Sequence, residues 1–367
     1  MTSRRRIRAS AIVVALVAAV TASGVTGYPT ASAASGIGDP GGPGIDWLRL
    51  GMDLAAPARP LLAAMEGAEA INYGSDGRLT FLLLGSDARG TGIARTDSIM
   101  VVSLKGKSIS AASIPRDTAR IPIPASMGGG TFSGKVNGIL RTLRNSSSSL
   151  DDALNKFERV IENLLRIEID YRALVWFNGF TTLVGKVDPV TLNIGREVID
   201  AKHADDPNAS HGVYFPKWNG YALSALNPSG RPLCNGDYKA DLPPPVASKY
   251  WCRRALPFVR SRKGPGNNDW VRSRRQQEFI AATIKAVAQY ELSGLVSTAQ
   301  SEGAGKWWTN YPISMTSATD LYNALSGATL KNSVVFKPRT YANRISGTSG
   351  YELKLSAVRQ WTATYMK

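Results

Sequence analysis

The amino-acid sequence predicts a layered α/β protein, and three observations point to that class. Of its 367 residues, 43% are hydrophobic and 20% are charged, a balance typical of a globular chain with a substantial core. Apolar runs of strand length alternate with amphipathic stretches of helix length. The chain contains no internal repeat. These features argue against disorder, collagen and a multi-span membrane architecture.

The first 34 residues have the three parts of a secretory signal peptide. Four arginines precede an apolar stretch over residues 9–25, and Ala31-Ser32-Ala33 forms a small-residue cleavage site. The alternative is an uncleaved signal anchor, since about 17 apolar residues approach the length that spans a bilayer. Both interpretations place the body of the protein outside the cytoplasm, either secreted or anchored at the outer face of the membrane or in the cell wall.

The chain is strongly basic, with a formal charge of +16. The first 34 residues hold four arginines and no acid, which leaves about +12 on the exported body. A basic surface attracts anions, and outside the cytoplasm these are wall polymers and lipid phosphates rather than nucleic acids. Because the chain has only two histidines, it offers little material for a histidine-based catalytic or zinc centre.

The two cysteines of the chain are Cys234 and Cys252. An even count in an exported chain favours one disulfide, which would close a short loop. Two free thiols are the alternative. Half of a zinc site is disfavoured, because no nearby histidine or further cysteine completes the ligand set.

The predicted elements begin after a Gly/Pro-rich stretch. A linker and an N-terminal helical segment occupy residues 35–75, with the helical apolar spacing confined to residues 54–71. The densest strand region follows and contains three runs. These predicted strands cover residues 79–85, 98–104 and 108–114, and a Lys-Gly-Lys turn separates the last two.

The second half of the chain predicts both helices and strands. Residues 150–167 form an amphipathic helix, with apolar residues at three- and four-residue steps and Ser149 as its N-cap. Residues 203–250 are loop-rich. Further predicted elements are strands at 173–177 and 190–194, a helix at 274–290, and alternating helix and strand signals over 306–367.

Charged residues gather after the apolar runs. Ligand sites of open α/β sheets lie at strand ends, so we expect these charges to converge on one crevice. Arginine binds phosphate oxygens through its planar fork, and the carboxylates of Asp87 and Asp97 suit Mg²⁺ beside a phosphate. Each segment alone is more typical of a turn or a surface ion pair, whereas the four segments together favour a shared site. The segments cover residues 85–90, 95–97, 115–118, and 259–262 with 269–277.

In this order, the segments resemble the LytR-CpsA-Psr family of bacterial wall-polymer ligases, of the actinobacterial type. The resemblance covers about residues 79–289 and includes a longer insertion at about 223–256 that holds the cysteine pair. The motifs that carry it are FLLLGSDARGTGIARTDSIMVVSL with SIPRDT, then Lys135-Val136-Asn137, the strand block at 170–195, and VRSR followed by DWVRSRRQQEF.

The resemblance implies a layered α/β/α fold with a mixed central sheet and a catalytic domain over residues 76–367. It implies a phosphotransferase that moves a glycan phosphate from a polyprenyl-pyrophosphate carrier to a MurNAc hydroxyl of peptidoglycan, near a membrane surface and without nucleic acid. The implied metal is Mg²⁺, or Mn²⁺ in its place, on Asp87 and Asp97. The implied catalytic residues are Arg95, Asp97, Arg116 and Asp117, and the implied pyrophosphate contacts are Arg89, Arg95, Arg116, Lys135, Arg260, Arg262, Arg272 and Gln276.

This chemistry agrees with the residue types. Phosphoryl transfer needs positioning and neutralisation of oxygen charge more than it needs a protein nucleophile. A carboxylate is expected to accept the proton of the attacking hydroxyl, with Asp97 and Asp117 as candidates. The polyprenyl chain needs an apolar cavity, which the resemblance places between the helix at 150–167 and the sheet.

Two other functions are alternatives, and the first of them would use the same residues. A lipid pyrophosphatase would transfer the phosphate to water instead of a sugar. A non-catalytic binder of anionic wall polymers would present a diffuse basic face, without paired aspartates at strand ends.

Overall fold

A computed structural model describes residues 73–86, 95–200, 213–225, 252–287, 292–301 and 305–367. The signal sequence, the helix at 54–71, Asp87, Arg89, Cys234 and most of the insertion at 223–256 lie outside these ranges, so the predictions for them stay predictions. Cys252 is buried, and no cysteine within the described ranges is free.

The core of the fold is a mixed six-stranded sheet in the order β11-β6-β1-β2-β3-β12. Strands β6 and β1 are parallel, β1, β2 and β3 form an antiparallel meander, and β12 is parallel to β3. The strands are β1 Leu79–Ser86, β2 Thr96–Lys105, β3 Ser108–Ser113, β4 Thr118–Pro122, β5 Thr131–Lys135, β6 Tyr171–Val175, β7 Val190–Ile194, β8 Val198–Asp200, β9 Val213–Phe215, β10 Trp218–Leu223, β11 Trp307–Thr309, β12 Thr329–Val335, β13 Ala342–Arg344 and β14 Tyr351–Leu353.

Helices cover both faces of this sheet. Alternate residues of β1 enter different cores, with Leu83 on one face and Leu82 and Leu84 on the other. The α/β/α layering is therefore confirmed. The helices are α1 Val136–Asn145, α2 Leu150–Leu165, α3 Phe177–Lys186, α4 Ala255–Arg260, α5 Asp269–Val287, α6 Leu292–Ser301, α7 Met315–Leu325 and α8 Leu355–Tyr365.

The two layers of helices differ in membership. Helices α1, α2 and α8 pack on one face of the sheet, and α3, α4, α5 and α7 pack on the other. Within the described ranges, we find no helix with the length and apolar character needed to cross a bilayer.

Most predicted elements lie close to their observed bounds, but three differ. The strand predicted at 173–177 runs over Tyr171–Val175, and Phe177 opens α3. The helix predicted from residue 274 begins at Asp269. Residues 259 and 260 follow no strand, because they form the end of α4. The predictions depend on the spacing of apolar residues. That spacing is weak where polar residues are buried or where a helix is short, as in these three elements.

The strand directions place the candidate site at one edge of the central sheet, by which we mean the side formed by the ends of its strands rather than an outermost strand. Strands β1, β3, β6 and β12 all end at this edge, and β2 begins there. A second sheet, in the order β13-β14-β4-β5, follows β3 along the chain and borders the same edge. The N-terminus of α5 also reaches it, through the contact of Arg272 with β2.

Candidate functional site

Asp97 is the buried centre of the site. It is the second residue of β2 and is 4% exposed. Its Oδ2 accepts a 2.7 Å hydrogen bond from Nη1 of Arg116, and its Oδ1 accepts a 3.3 Å bond from Nδ2 of Asn137 in α1. Nη2 of Arg272 donates to the main-chain oxygen of Asp97 at 3.1 Å. Three separate parts of the chain therefore meet at this carboxylate and its peptide group.

Asp269 is a second carboxylate of the site, and sequence reasoning did not identify it as a site residue. Its Oδ1 lies 3.2 Å from Arg272 Nη2, 3.7 Å from Arg116 Nε and 3.8 Å from Arg262 Nη1. The predicted helix began at residue 274, so Asp269 was not placed on the same helix as Arg272 and its role was missed. Its three-residue spacing from Arg272 was the available signal.

Arg272 is the most deeply buried cation of the site, with 1% of its surface exposed. Burial lowers the pKa of its guanidinium, the carboxylates of Asp269 and Asp97 oppose that shift, and Arg116 and Arg262 add to it. Within the described part of the chain, its Nε and Nη1 have no hydrogen-bond partner. Because unpaired buried donors are costly, these atoms favour an oxygen-rich anion.

Arg116 is the cation that links the carboxylates. Burial tends to lower the pKa of its guanidinium, but the carboxylates of Asp97, Asp269 and Asp117 together raise it. Arg116 Nε lies 3.8 Å from Asp117 Oδ2, and Lys135 Nζ lies 2.6 Å from Asp117 Oδ1. The charged network therefore continues from the central sheet to the end of β5.

The loop between α4 and α5 is fixed by buried polar contacts. The main-chain N–H groups of Arg262 and Lys263 each donate to Asp200 Oδ2 at 2.9 Å. Arg275 donates to the main-chain oxygens of Phe258, at 3.1 Å, and Ser261. Burial lowers the pKa of Arg275 to about 9. Arg275 therefore positions the loop from within the fold, a role that sequence reasoning did not assign.

Three other predicted residues lie around this network. Arg260 ends α4, and its guanidinium lies 4.7 Å from the ring centre of Phe177, as in a cation–π contact. Gln276 accepts a 3.1 Å bond from Ser98 Oγ and donates to the oxygen of Val259 at 3.3 Å, so it ties β2 to α4. Arg95 is exposed and directly precedes β2.

The structure thus joins six predicted residues through contacts among themselves and with Asp269, and it positions three more nearby. Asp87 and Arg89 lie outside the described residues. Across the ranges that the structure describes, no three His, Cys, Asp or Glu side chains cluster as a metal site. The six joined residues are Asp97, Arg116, Asp117, Lys135, Arg262 and Arg272.

Two cavities lie beside α5. One, of about 290 Å³, has a mixed lining of apolar and charged side chains, among them Ile194, Val198, Val271, Arg196, Arg274, Arg275 and Glu278. The other, of about 10 Å³, separates residues such as Ala111 of the sheet from Ile280 of α5. Both are on the face of the sheet opposite α2, whose apolar side is packed into a continuous core.

The fold and the site define an α/β/α protein with an arginine-rich charged network at its strand ends. The LytR_cpsA_psr family model matches residues 62–365, and the chain belongs to that family. Its actinobacterial subtype stays a prediction.

Individual relatives agree with this family. A polyisoprenyl-teichoic acid–peptidoglycan teichoic acid transferase, TagU of Bacillus mycoides strain KBAB4, is 26% identical over 61% of this chain and 57% of its own. TagV of Bacillus subtilis strain 168, with the same description, is 25% identical over 65% of this chain and 50% of its own. The match thus spans about half the length of these curated relatives. The crystal structure of B. subtilis TagV shares the fold, with a TM-score of 0.54 and 19% identity over 79% of this chain and 96% of that chain.

Proposed function

We propose that this protein transfers a glycan phosphate from a polyprenyl-pyrophosphate carrier to a hydroxyl of peptidoglycan, and so attaches a secondary polymer to the cell wall. The observation that carries the proposal is the buried guanidinium of Arg272, with two unpartnered nitrogens in the described structure, beside Arg116 and Arg262. The names of TagU and TagV, relatives in the same family, support this class of donor and acceptor.

The charges of the site favour a diphosphate. Four cations (Arg116, Lys135, Arg262 and Arg272) surround three carboxylates in one contact network, and Arg95 and Arg260 lie beside it. This excess of positive charge can neutralise the oxygens of a pyrophosphate, and fixed guanidinium groups stabilise charge that develops during phosphoryl transfer.

In the proposed reaction, the acceptor hydroxyl oxygen forms a bond to the phosphorus that carries the glycan. The bond between that phosphorus and the bridging oxygen breaks, and polyprenyl phosphate leaves with the electron pair. The hydroxyl proton passes to a carboxylate. We assign this role to Asp117, because its side chain is 26% exposed, whereas both oxygens of the buried Asp97 already accept hydrogen bonds.

We propose that Asp97, with Asp87, holds Mg²⁺ or Mn²⁺. The two hydrogen bonds to Asp97 leave about half of the lone-pair positions of its carboxylate available, and such hard oxygen ligands suit either ion. When bound, the metal would add positive charge at the pyrophosphate oxygens.

We propose that the polyprenyl chain lies on the α5 face of the sheet. The expected position beside α2 is filled by buried side chains of α2 and β1, whereas both described cavities flank α5. An apolar chain would have to widen the smaller gap.

The proposed donor and acceptor place the protein outside the cytoplasm, near the membrane surface. In that oxidising compartment we propose a Cys234–Cys252 disulfide, which is consistent with the absence of a free cysteine from the described residues.

The decisive experiment is transfer of a labelled glycan from a polyprenyl-pyrophosphate donor to peptidoglycan fragments, with and without EDTA. We expect Mg²⁺-dependent transfer that falls at least about 100-fold in Arg116→Ala and Arg272→Gln. Lys285→Ala is the matched control, because Lys285 is an exposed cation on the same helix as Arg272 and lines neither cavity.

Other outcomes would identify the alternatives. Release of polyprenyl phosphate without labelled peptidoglycan would indicate a pyrophosphatase. Binding of anionic polymer with no turnover would indicate a binding protein. Full transfer in folded Arg116→Ala would contradict the assigned site, and turnover unaffected by EDTA would remove the metal role.

A further inference from the structure

A surface of aromatic and polar side chains adjoins the arginine site; we call it the aromatic wall. It consists of Trp270, Tyr351, Asp117, Lys135 and Ser349. The rings of Trp270 and Tyr351 lie 5.4 Å apart at 79°, and Lys135 Nζ donates to Asp117 Oδ1 at 2.6 Å and to Ser349 Oγ at 2.9 Å. The N–H of Tyr351 donates to the main-chain oxygen of Asp117 at 3.1 Å, so the aromatic and polar groups form one surface.

The aromatic wall is next to the phosphate site and is open to solvent. Asp117 Oδ2 lies 3.8 Å from Arg116 Nε, and Trp270 directly follows Asp269 in the chain. All five wall residues are half-buried or exposed, in contrast to the buried Arg272. A group attached to a phosphate at Arg116 would therefore meet this wall.

The chemistry of the aromatic wall suits a sugar ring. Aromatic faces cover the apolar C–H side of a ring, while a carboxylate, an ammonium and a hydroxyl pair with its hydroxyl groups. Within the described residues, the indole N–H of Trp270 is buried and has no hydrogen-bond partner. A ligand made only of phosphate and an apolar chain could pair with Lys135 but would leave the Ser349 hydroxyl without a role in binding.

We propose that the aromatic wall binds the sugar ring next to the transferred phosphate. This inference rests on the proposed function and extends it to a carbohydrate subsite. Either of two substrates could supply this sugar: the donor, through its phosphate-linked sugar, or peptidoglycan, through its acceptor sugar.

The test measures dissociation constants of the full chain for three ligands. Geranyl pyrophosphate carries no sugar, geranyl pyrophosphate linked to N-acetylglucosamine represents the donor, and a peptidoglycan disaccharide-peptide represents the acceptor. The variants are Tyr351→Ala and Ser349→Ala, with Tyr351→Phe retaining the ring. The controls are Tyr365→Ala and Ser346→Ala, which change exposed residues of the same types.

We expect Tyr351→Ala to raise the dissociation constant of one sugar-bearing ligand about tenfold and Ser349→Ala about threefold. Binding of geranyl pyrophosphate should change less than about twofold, and Tyr351→Phe should bind like the original protein. A loss with the donor analogue assigns the wall to the donor sugar, and a loss with the disaccharide-peptide assigns it to the acceptor.

Unchanged binding of both sugar-bearing ligands in folded Tyr351→Ala and Ser349→Ala would overturn the inference. Transfer by the unaltered protein is measured in parallel. If that transfer occurs while the wall variants bind normally, the wall alone is wrong. If transfer is absent but the sugar-specific loss is present, the sugar subsite stands and the proposed reaction fails.

Discussion

At the scale of single residues, the site is organised by one carboxylate shared among three guanidinium groups. Asp269 Oδ1 lies within 3.8 Å of nitrogens of Arg116, Arg262 and Arg272. Without a negative charge between them, these cations would repel one another in a partly buried place. Asp269 is therefore a positioning residue, which holds the three arginines close enough to act on one anion.

Substitution of this carboxylate should separate binding from turnover. We expect Asp269→Asn to lower the transfer rate at least about tenfold because the guanidinium groups lose their common anchor. Affinity for inorganic pyrophosphate should be equal or higher, since the site gains net positive charge. Steady-state transfer and calorimetric binding measure the two effects. Asp152→Asn, in an ion pair on α2, is the control, and an unchanged rate in Asp269→Asn would remove the positioning role.

At the scale of elements, the apolar pattern predicted the central strands well. Strands β1, β2 and β3 are almost entirely buried, and their bounds differ from the prediction by at most two residues. Buried charges account for the errors. Arg172 is buried in β6 because Asp151 and Glu158 pair with it at 2.8 and 2.9 Å, and hydropathy does not register such pairing.

Helix α5 is a second element in which hydropathy does not detect residues that are buried through polar contacts. Its residues face the sheet, the larger cavity and the charged network in turn, so its buried residues form no single apolar stripe. The apolar spacing after residue 274 correctly predicted a helix containing Phe279 and Ile280. The prediction started the helix too late, because Arg272 and Arg275 are buried through polar contacts. Which arginines converge depends on three-dimensional packing, and Asp269 was missed because the predicted helix began after it.

The loop before α5 gives an element-scale prediction. Gly264 has φ +111°, and a Cβ at this position would lie 2.2 Å from the oxygen of Ile199. We expect Gly264→Ala to reduce the free energy of unfolding by about 1–3 kcal/mol and to weaken transfer by shifting Arg262. Denaturant unfolding and the transfer assay measure these effects.

Gly138 in α1 supplies the control for this loop. A Cβ at Gly138 would meet no described atom within 4 Å, and its φ is not in the left-handed region. Gly138→Ala should therefore raise the free energy of unfolding by about 0.5–1 kcal/mol. Equal effects of the two substitutions would show that the loop is not held as tightly as its contacts indicate.

At the scale of the whole molecule, the free energy of unfolding should depend on pH through a carboxyl at the opposite edge of the sheet. Burial raises the pKa of Asp170 to about 6, a bond from the Thr80 N–H opposes the shift, and Glu168 and Asp76 add to it. The folded protein thus retains a proton that the unfolded chain loses near its ordinary pKa of 3.8. The contribution of Asp170 to the free energy of unfolding should be largest at low pH and should fall as pH rises from about 4 to 6.

The variant Asp170→Asn isolates this contribution. Its free energy of unfolding should lack the part of the decline between about pH 4 and 6 that Asp170 causes. Denaturant titrations at several pH values measure the slope. Glu352→Gln, in an exposed ion pair with Arg120, should retain the original slope. A slope that is the same in Asp170→Asn and the original protein would exclude Asp170 as its source.

The two outermost strands of the central sheet have a consequence for how the protein behaves among other chains. Strand β11 is only three residues long, while β12 carries Lys331 where its pairing with β3 shifts between Leu330 and Asn332. Edge strands that are short, charged or irregularly paired are poor templates for pairing with a strand of another chain. We therefore expect the molecule to resist self-aggregation at high protein concentration, although the central strands β1 and β2 are largely buried.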